Sequence, residues 1–158
     1  MKPLFLNLLL AVMWLLLSSQ RTASVFALGF VLGFALLALF HRVLGSSDYT
    51  RRAFALVRFL LIFAWEFIAA NGNVVATVLF RSKQSLRPNF ITYDVAGLSP
   101  FEILLVSHCI SLTPGSTTVQ VAEDFQTLVL HTLDVHDPAA VRAHIDRVIK
   151  RGVLSFTR

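Results

Sequence analysis

The chain has 158 residues, of which 56% are hydrophobic and 15% charged, with a net charge of +5 and a mean hydropathy of +0.70. Soluble domains average roughly 45–50% apolar and about 25% charged residues, so this composition argues against an ordinary water-soluble globule. The length excludes a large enzyme with separate cofactor and substrate domains.

The charge is unevenly distributed. Residues 1–88 hold nine Lys/Arg against two acids, Asp48 and Glu66, whereas residues 89–158 hold five against seven. Basic residues flanking apolar runs point to lipid headgroups as the partner, and no nucleic-acid partner is expected. The single cysteine, Cys109, excludes an intrachain disulfide and any Cys-pair metal site.

Lys2 and Arg21 bracket 18 uncharged residues, and Arg21 and His41 bracket another 19. Each run is near the roughly 20 residues needed to cross a bilayer. The first has the order of parts of a signal peptide. However, no A-x-A-like site follows, and the second run begins almost at once, so a membrane hairpin is the preferred reading. Gly29 and Gly33 form a G-x-x-x-G pair that allows close approach of another helix, although Gly is also common in membrane helices for no such reason.

A third run of 22 residues lies between Arg58 and Arg81 and contains Glu66. Placed about 10 Å along the helix, this carboxyl should face protein or water and avoid lipid. Glu66, Ala70, Asn73 and Thr77 recur at helical spacing as a small and polar stripe suited to a partner helix, with Phe63, Phe67, Val74 and Val78 expected elsewhere. Glu66 lacks a second acid, Lys or His in the same segments, which favours a structural role over a proton relay.

The period changes after Arg87. Asn89–Val95 reads as a strand. Ser99, Pro100 and Glu102 read as a capped helix start, the helix continuing to about Ser111. Thr113-Pro114-Gly115 forms a rigid turn, and residues 116–121 and 126–134 form a hairpin. Asp137-Pro138 opens a final helix, with Val141, Ile145, Val148 and Ile149 on its apolar face. The expected fold class is therefore a membrane α-helical region of three transmembrane helices (about 3–20, 22–40 and 57–80, within residues 1–82). A small β-α-β-β-α domain of the α+β class follows over residues 83–158.

No motif specifies an enzyme. His108 and Cys109 are adjacent on a helix and cannot form a nucleophile–base pair. His131, Asp134 and His136 would have to reach one metal from both faces of a strand. Neither a metal nor a cofactor is expected.

The order of features resembles the small E-type component of the multisubunit cation/proton antiporters, the MrpE/MnhE/PhaE family. The resemblance rests on Trp65-Glu66-Phe67-Ile68-Ala69-Ala70-Asn71, Leu86-Arg87-Pro88, Ile110 to Gly115 with Thr117, Val119, Val121, Asp124, Leu128, Leu130 to Asp134, and Asp137. It covers nearly the whole chain, and its most specific part is the S-L-T-P-G-S-T-T-V run. Gln120 departs from the acid expected there.

The resemblance implies an accessory, non-enzymatic subunit of a bacterial inner-membrane assembly that exchanges Na+ or K+ for H+, with the other antiporter subunits and lipid as partners. Glu66, Asn71 and Asn73 are the candidate ion-path or interface residues, Gly29, Gly33, Ala70 and Thr77 the helix-packing residues, and Thr113, Pro114 and Gly115 the structural turn. A membrane-anchored adaptor without a transport role is the alternative.

Basic clusters at residues 41–58 and 81–87 flank the same third run, so a simple three-span chain would leave one cluster outside. A fourth crossing by residues 98–112 would resolve this, but that run contains Pro100, Glu102 and His108 and is nearer 15 residues than 20. The expectation is therefore a cytoplasmic C-terminal domain, with the first two short helices tilted or not fully spanning.

Overall fold

The computed structural model describes residues 2–158, and the chain divides into two compact units, residues 1–54 and 55–158. In chain order the elements are α1 (Lys2–Leu17), α2 (Ala23–Leu39), α3 (His41–Leu44), α4 (Ser47–Phe80), β1 (Asn89–Asp94), α5 (Pro100–Leu112), β2 (Ser116–Val121), β3 (Thr127–Thr132), α6 (Pro138–Ile145) and α7 (Arg151–Thr157). A π-helical turn, Asp146–Lys150, joins α6 to α7.

The first unit is built on the α1–α2 hairpin. The apolar run of α1 stops at the polar Ser18-Ser19-Gln20, and the Thr22 side chain caps α2 by accepting the Val25 N–H at 3.4 Å. Gly29 and Gly33 are buried against α1. A Cβ at Gly29 would lie 2.8 Å from Trp14 Cβ, and one at Gly33 would strike Asn7 Oδ1. The glycine pair therefore serves close packing within this hairpin. The buried Asn7 donates from Nδ2 to the Tyr49 hydroxyl at 3.0 Å, and Phe34 meets Tyr49 and Phe54 edge-on, with ring centroids 5.8 and 5.7 Å apart. Gly45, at φ +60°, closes α3 in the left-handed conformation that glycine adopts freely.

At 34 residues, α4 is, among the described residues, the helix long and apolar enough to cross a membrane. The helices α1 and α2 are shorter, at 16 and 17 residues. The helix α4 begins at Ser47, ten residues before the expected 57. Arg51, Arg52, Ala53, Leu56 and Arg58 are good helix formers, so helix extends N-terminally past the charge-free run.

The second unit takes in the rest of α4 together with an α+β fold. Its sheet has the order β1-β3-β2, and both pairings are antiparallel. β1 and β2 thus run parallel to one another, with α5 as the crossover and β3 inserted between them. The β2–β3 pairing shifts register between Thr118 and Gln120.

One sheet face, carrying Ile91, Tyr93, Leu128 and Leu130, packs against Ile103, Val106 and Ile110 of α5 and against Ile145, Ile149 and Val153 of the C-terminal helix. Phe59 of α4 joins this core. Its ring occupies the space a Cβ at Gly152 would need, and it lies 5.5 Å from the Phe156 ring. Burying such a ring contributes about 2 kcal/mol. The compact-unit boundary therefore falls inside α4, at 54/55, where the sequence reading had placed a domain boundary at 82/83: residues 55–80 supply part of the second unit's core.

The element order matches the expected β-α-β-β-α pattern, extended by the π turn and α7. Ser99 and Glu102 form the expected capping box, and Asp137 caps α6 with Pro138 at its first position.

Candidate functional site

The small and polar stripe of α4 faces the α+β fold. Ala70, Asn73 and Thr77 line a groove of ≈ 300 Å³ whose other wall is Pro114, Gly115 and Asp134. Phe63 and Val74 belong to this same face, contrary to the sequence expectation: Phe63 packs on the core, and Val74 Cγ2 is the atom nearest a Cβ built at Gly115, at 3.7 Å. Helical geometry accounts for this, because positions 63, 66, 70, 73, 74 and 77 fall within one side of a helix with 3.6 residues per turn.

Glu66 is partly buried beside a smaller, more enclosed cavity of ≈ 80 Å³ that Thr113, Ser116 and Ile110 also line. Its Oε2 lies 3.3 Å from His144 Nε2 of α6. The sequence reading missed this partner, because His144 lies 78 positions away in the chain, on the polar side of an amphipathic helix. Asn71 lies away from the groove, exposed, with its Nδ2 donating to Phe67 O of its own helix at 2.7 Å. Asn71 and Asn73 therefore lie on different sides of α4.

The Thr113-Pro114-Gly115 turn ties α5 to β2. Thr113 Oγ1 donates to Cys109 O at 2.9 Å, Ser116 Oγ to Ile110 O at 3.0 Å, and Thr118 Oγ1 to Ser107 O at 3.2 Å. Gly115 has φ +94° and accepts the Leu133 N–H at 2.8 Å, which links the turn to the exit of β3. Cys109 O and Ile110 O also accept the Thr113 N–H, so the hydroxyls of this motif add second bonds that hold the turn against the end of α5.

Asp134 is the hub at the β3 exit. It pairs with the Arg81 guanidinium, accepts the Arg87 N–H at 3.1 Å and lies 3.4 Å from His136 Nδ1. Burial opposes ionisation of Asp134, but Arg87, Arg81 and His136 together outweigh it and hold the carboxyl below its ordinary value. Together with the Val135 N–H to Arg87 O bond at 3.0 Å, this clamps the connection from α4 to β1. His131 faces the other way and meets the Phe90 ring at 5.1 Å.

Two further polar anchors, the tie of the capping residue Glu102 to the C-terminus and the Tyr93–Asp146 bond, have no signal in the sequence. Glu102 is almost fully buried and accepts four bonds: Ser99 N–H at 2.8 Å, Thr157 Oγ1 at 2.8 Å, and Arg158 Nε and Nη2 at 3.0 and 3.1 Å. The Arg158 guanidinium, with these other donors, lowers the Glu102 pKa from 4.5 to about 2 against the effect of burial. The Tyr93 hydroxyl donates to Asp146 Oδ1 at 2.6 Å, and burial together with this bond raises its pKa. Burial likewise raises the Cys109 thiol, as expected for a packing residue with little reactivity.

The residues brought together here therefore fasten one element to another: α4 to α6, α4 to β3, α5 to β2, and α5 to the C-terminus. Among the described residues no group of three or more His, Cys, Asp or Glu side chains is placed to hold a metal ion.

The chain is 29% identical over 150 residues to the E1 subunit of the Na(+)/H(+) antiporter of Staphylococcus epidermidis, covering 92% of this chain and 94% of the relative. It is 28% identical over 151 residues to the same-named protein of Staphylococcus aureus, covering 93% and 94%.

Among solved structures it resembles a chain of the Mrp complex from Dietzia sp. DQ12-45-1b, with 25% identity and a TM-score of 0.51 over 65% of this chain and 94% of that one. It shares a fold with a chain of an archaeal membrane-bound sulfane sulfur reductase, with a TM-score of 0.58 and 21% identity over 96% of both. The family model for the Na+/H+ ion antiporter subunit, MNHE, matches residues 7–155, and the chain belongs to that family.

Proposed function

We propose that this chain is an accessory membrane subunit of a multisubunit monovalent cation/proton antiporter, supporting assembly of the complex and its exchange of Na+ or K+ for H+. The observation that carries this reading is the family match across residues 7–155, nearly the whole chain. The bonding of the site supports it. Each polar cluster described above joins two elements of the fold, as in a subunit whose contribution is shape and placement.

In this reading the protein resides in the bacterial inner membrane, with the α1–α2 hairpin in it, the apolar side of α4 against lipid and the α+β fold on the cytoplasmic side. Glu66 serves mainly as a docking carboxylate that receives His144, with Asn73 beside it in the groove. Asn71, at the edge of the exposed side of α4, is the position on this helix open to a neighbouring subunit's flank. Gly29 and Gly33 set the hairpin packing, Ala70 and Thr77 the packing of α4 on the α+β fold, and Thr113, Pro114 and Gly115 the turn that meets it.

The test is exchange activity in inverted membrane vesicles containing the remaining subunits, with and without this chain. Loss of Na+-driven proton movement without it is expected, and unchanged exchange contradicts the proposal. Glu66→Gln distinguishes the roles of the carboxylate. Normal exchange with a weakened α4–α6 contact is expected, whereas abolished exchange in a fully assembled complex would place Glu66 on the ion path.

A further inference from the structure

We infer that the apolar part of α4 lies along the cytoplasmic membrane surface, with its outer face sunk into the boundary between headgroups and acyl chains, in place of a third crossing. This rests on the membrane location proposed above. It replaces the third of the expected spans with an interfacial helix and leaves the α1–α2 hairpin as the part inserted in the membrane.

The first argument is geometric. The α+β fold accompanies α4 from Phe59, which packs on Gly152 and Phe156, to Thr77 in the groove and Arg81 on Asp134. From residue 59 to residue 81 a helix rises about 33 Å, more than the roughly 30 Å hydrocarbon core. A crossing α4 would therefore carry the α+β fold into the bilayer with it. That fold bears Arg147 and Arg151, both exposed, and its two outer strands, β1 and β2, present open sheet edges. Neither exposed charges nor open edges are tolerated in hydrocarbon.

The second argument is the character of the face left over. Leu61, Trp65, Ile68, Val75, Val78 and Leu79 are each more than half exposed and share the side of α4 turned away from the α+β fold. The one charge between Arg58 and Arg81 is Glu66, which faces the opposite way toward His144. The outward face is apolar except for Asn71, whose Nδ2 is satisfied by Phe67 O of the same helix. A helix with one face on its own domain and such a face outward, bounded at both ends by Arg, has the form of a surface-lying membrane helix.

The third argument is charge placement. With α4 in the plane of the surface, Lys2, Arg42, Arg51, Arg52, Arg58, Arg81 and Arg87 all belong to one side of the membrane. Arg21, in the hairpin turn, is the exception. That is the cytoplasmic excess of Lys and Arg seen in membrane proteins, and anionic headgroups there attract such residues. The two basic clusters no longer conflict.

The experiment uses the full chain in the assembled complex, in a Cys109→Ser background. Single cysteines at positions 61, 68, 75 and 79 carry nitroxide labels, and depth is read from collisions with oxygen and with a water-soluble nickel chelate. The expected result is one shared shallow depth, about 5–10 Å below the headgroups. A depth that runs from one surface through the centre to the other, a span of about 27 Å over 18 residues, overturns the inference. Labels shielded from oxygen also overturn it, since a protein neighbour would then cover the face.

Cysteines at the exposed Ser47 and Ser82 provide an independent reading. A membrane-impermeant maleimide should reach both from the cytoplasmic side alone, and opposite-sided labelling refutes the inference. Exchange is measured on the same vesicles. A crossing helix in a chain required for exchange would overturn the interfacial placement alone, while exchange that does not need the chain would overturn the proposed function.

Discussion

Replacing Glu102 by Gln removes the charge that joins the start of α5 to the chain's C-terminus while keeping the side chain's size. The carboxylate is 4% exposed and receives both Arg158 and Thr157, so its ionised form is favoured in the fold. A pKa lowered from 4.5 to about 2 corresponds to at most about 3 kcal/mol, at about 1.36 kcal/mol per pH unit. The Arg158 side chain is 56% exposed, and solvent screening reduces this to about 2 kcal/mol, or roughly a 30-fold change in an opening equilibrium.

Because the folded-state pKa is the lower one, this stabilisation is fully present above the unfolded value of 4.5 and is lost as pH falls toward about 2. Hydrogen exchange of the β1 and β3 amides, compared between wild type and Glu102→Gln, reads the opening free energy of the second unit. The expected gap is constant from neutral pH to about 5 and closes between 4.5 and 2. A gap of the same size at every pH, or none at neutral pH, would show that the charge contributes nothing to this anchor.

Asp134→Asn should loosen the connection between α4 and β1, seen as faster tryptic cleavage at Arg81–Ser82 with the sheet amides still protected. Equal cleavage rates would mean that the clamp is redundant. Gly33→Ala places a methyl group against Asn7 in the hairpin and should destabilise it by about 1–3 kcal/mol. Gly72→Ala, where nothing lies within 4 Å, should be neutral or stabilising by up to about 1 kcal/mol. Thermal melts of the solubilised complex separate the two, and reversal of their order refutes the packing assignment. A double-mutant cycle on Glu66 and His144 should give a coupling of about 0.5–1 kcal/mol, modest because both side chains are partly solvated. A coupling of zero would leave the docking role without support.

The C-terminal fold was legible in the sequence because its signals are local. The Ser99/Glu102 box, the Thr113-Pro114-Gly115 turn and the Asp137-Pro138 start each act within a few residues, and each element began where these signals placed it. The small and polar stripe of α4 was legible from its period alone. What it faces was not, because period shows which residues share a side without naming the neighbour. Phe63 and Val74 were assigned to the wrong side for this reason.

The partners of the key charges were hidden by distance along the chain: His144 for Glu66, Arg158 for Glu102, and Arg81 and Arg87 for Asp134. The start of α4 was missed because hydropathy marks where charge stops, whereas Arg and Ala extend helix well beyond that point. The length of the apolar run, read alone, suggested a span. Side-chain contacts between that run and the α+β fold, at Phe59, Phe63, Glu66 and Val74 and at Arg81 beyond its end, are three-dimensional facts, and the proposed interfacial placement rests on them.

The central claim, that this chain is a working part of a cation/proton antiporter, is tested most directly by Na+-driven proton movement in inverted vesicles from cells expressing the complete set of subunits, compared with the set lacking this chain. Exchange that is lost without the chain and restored by supplying it is the predicted result. Exchange of equal rate and extent in both would contradict the account.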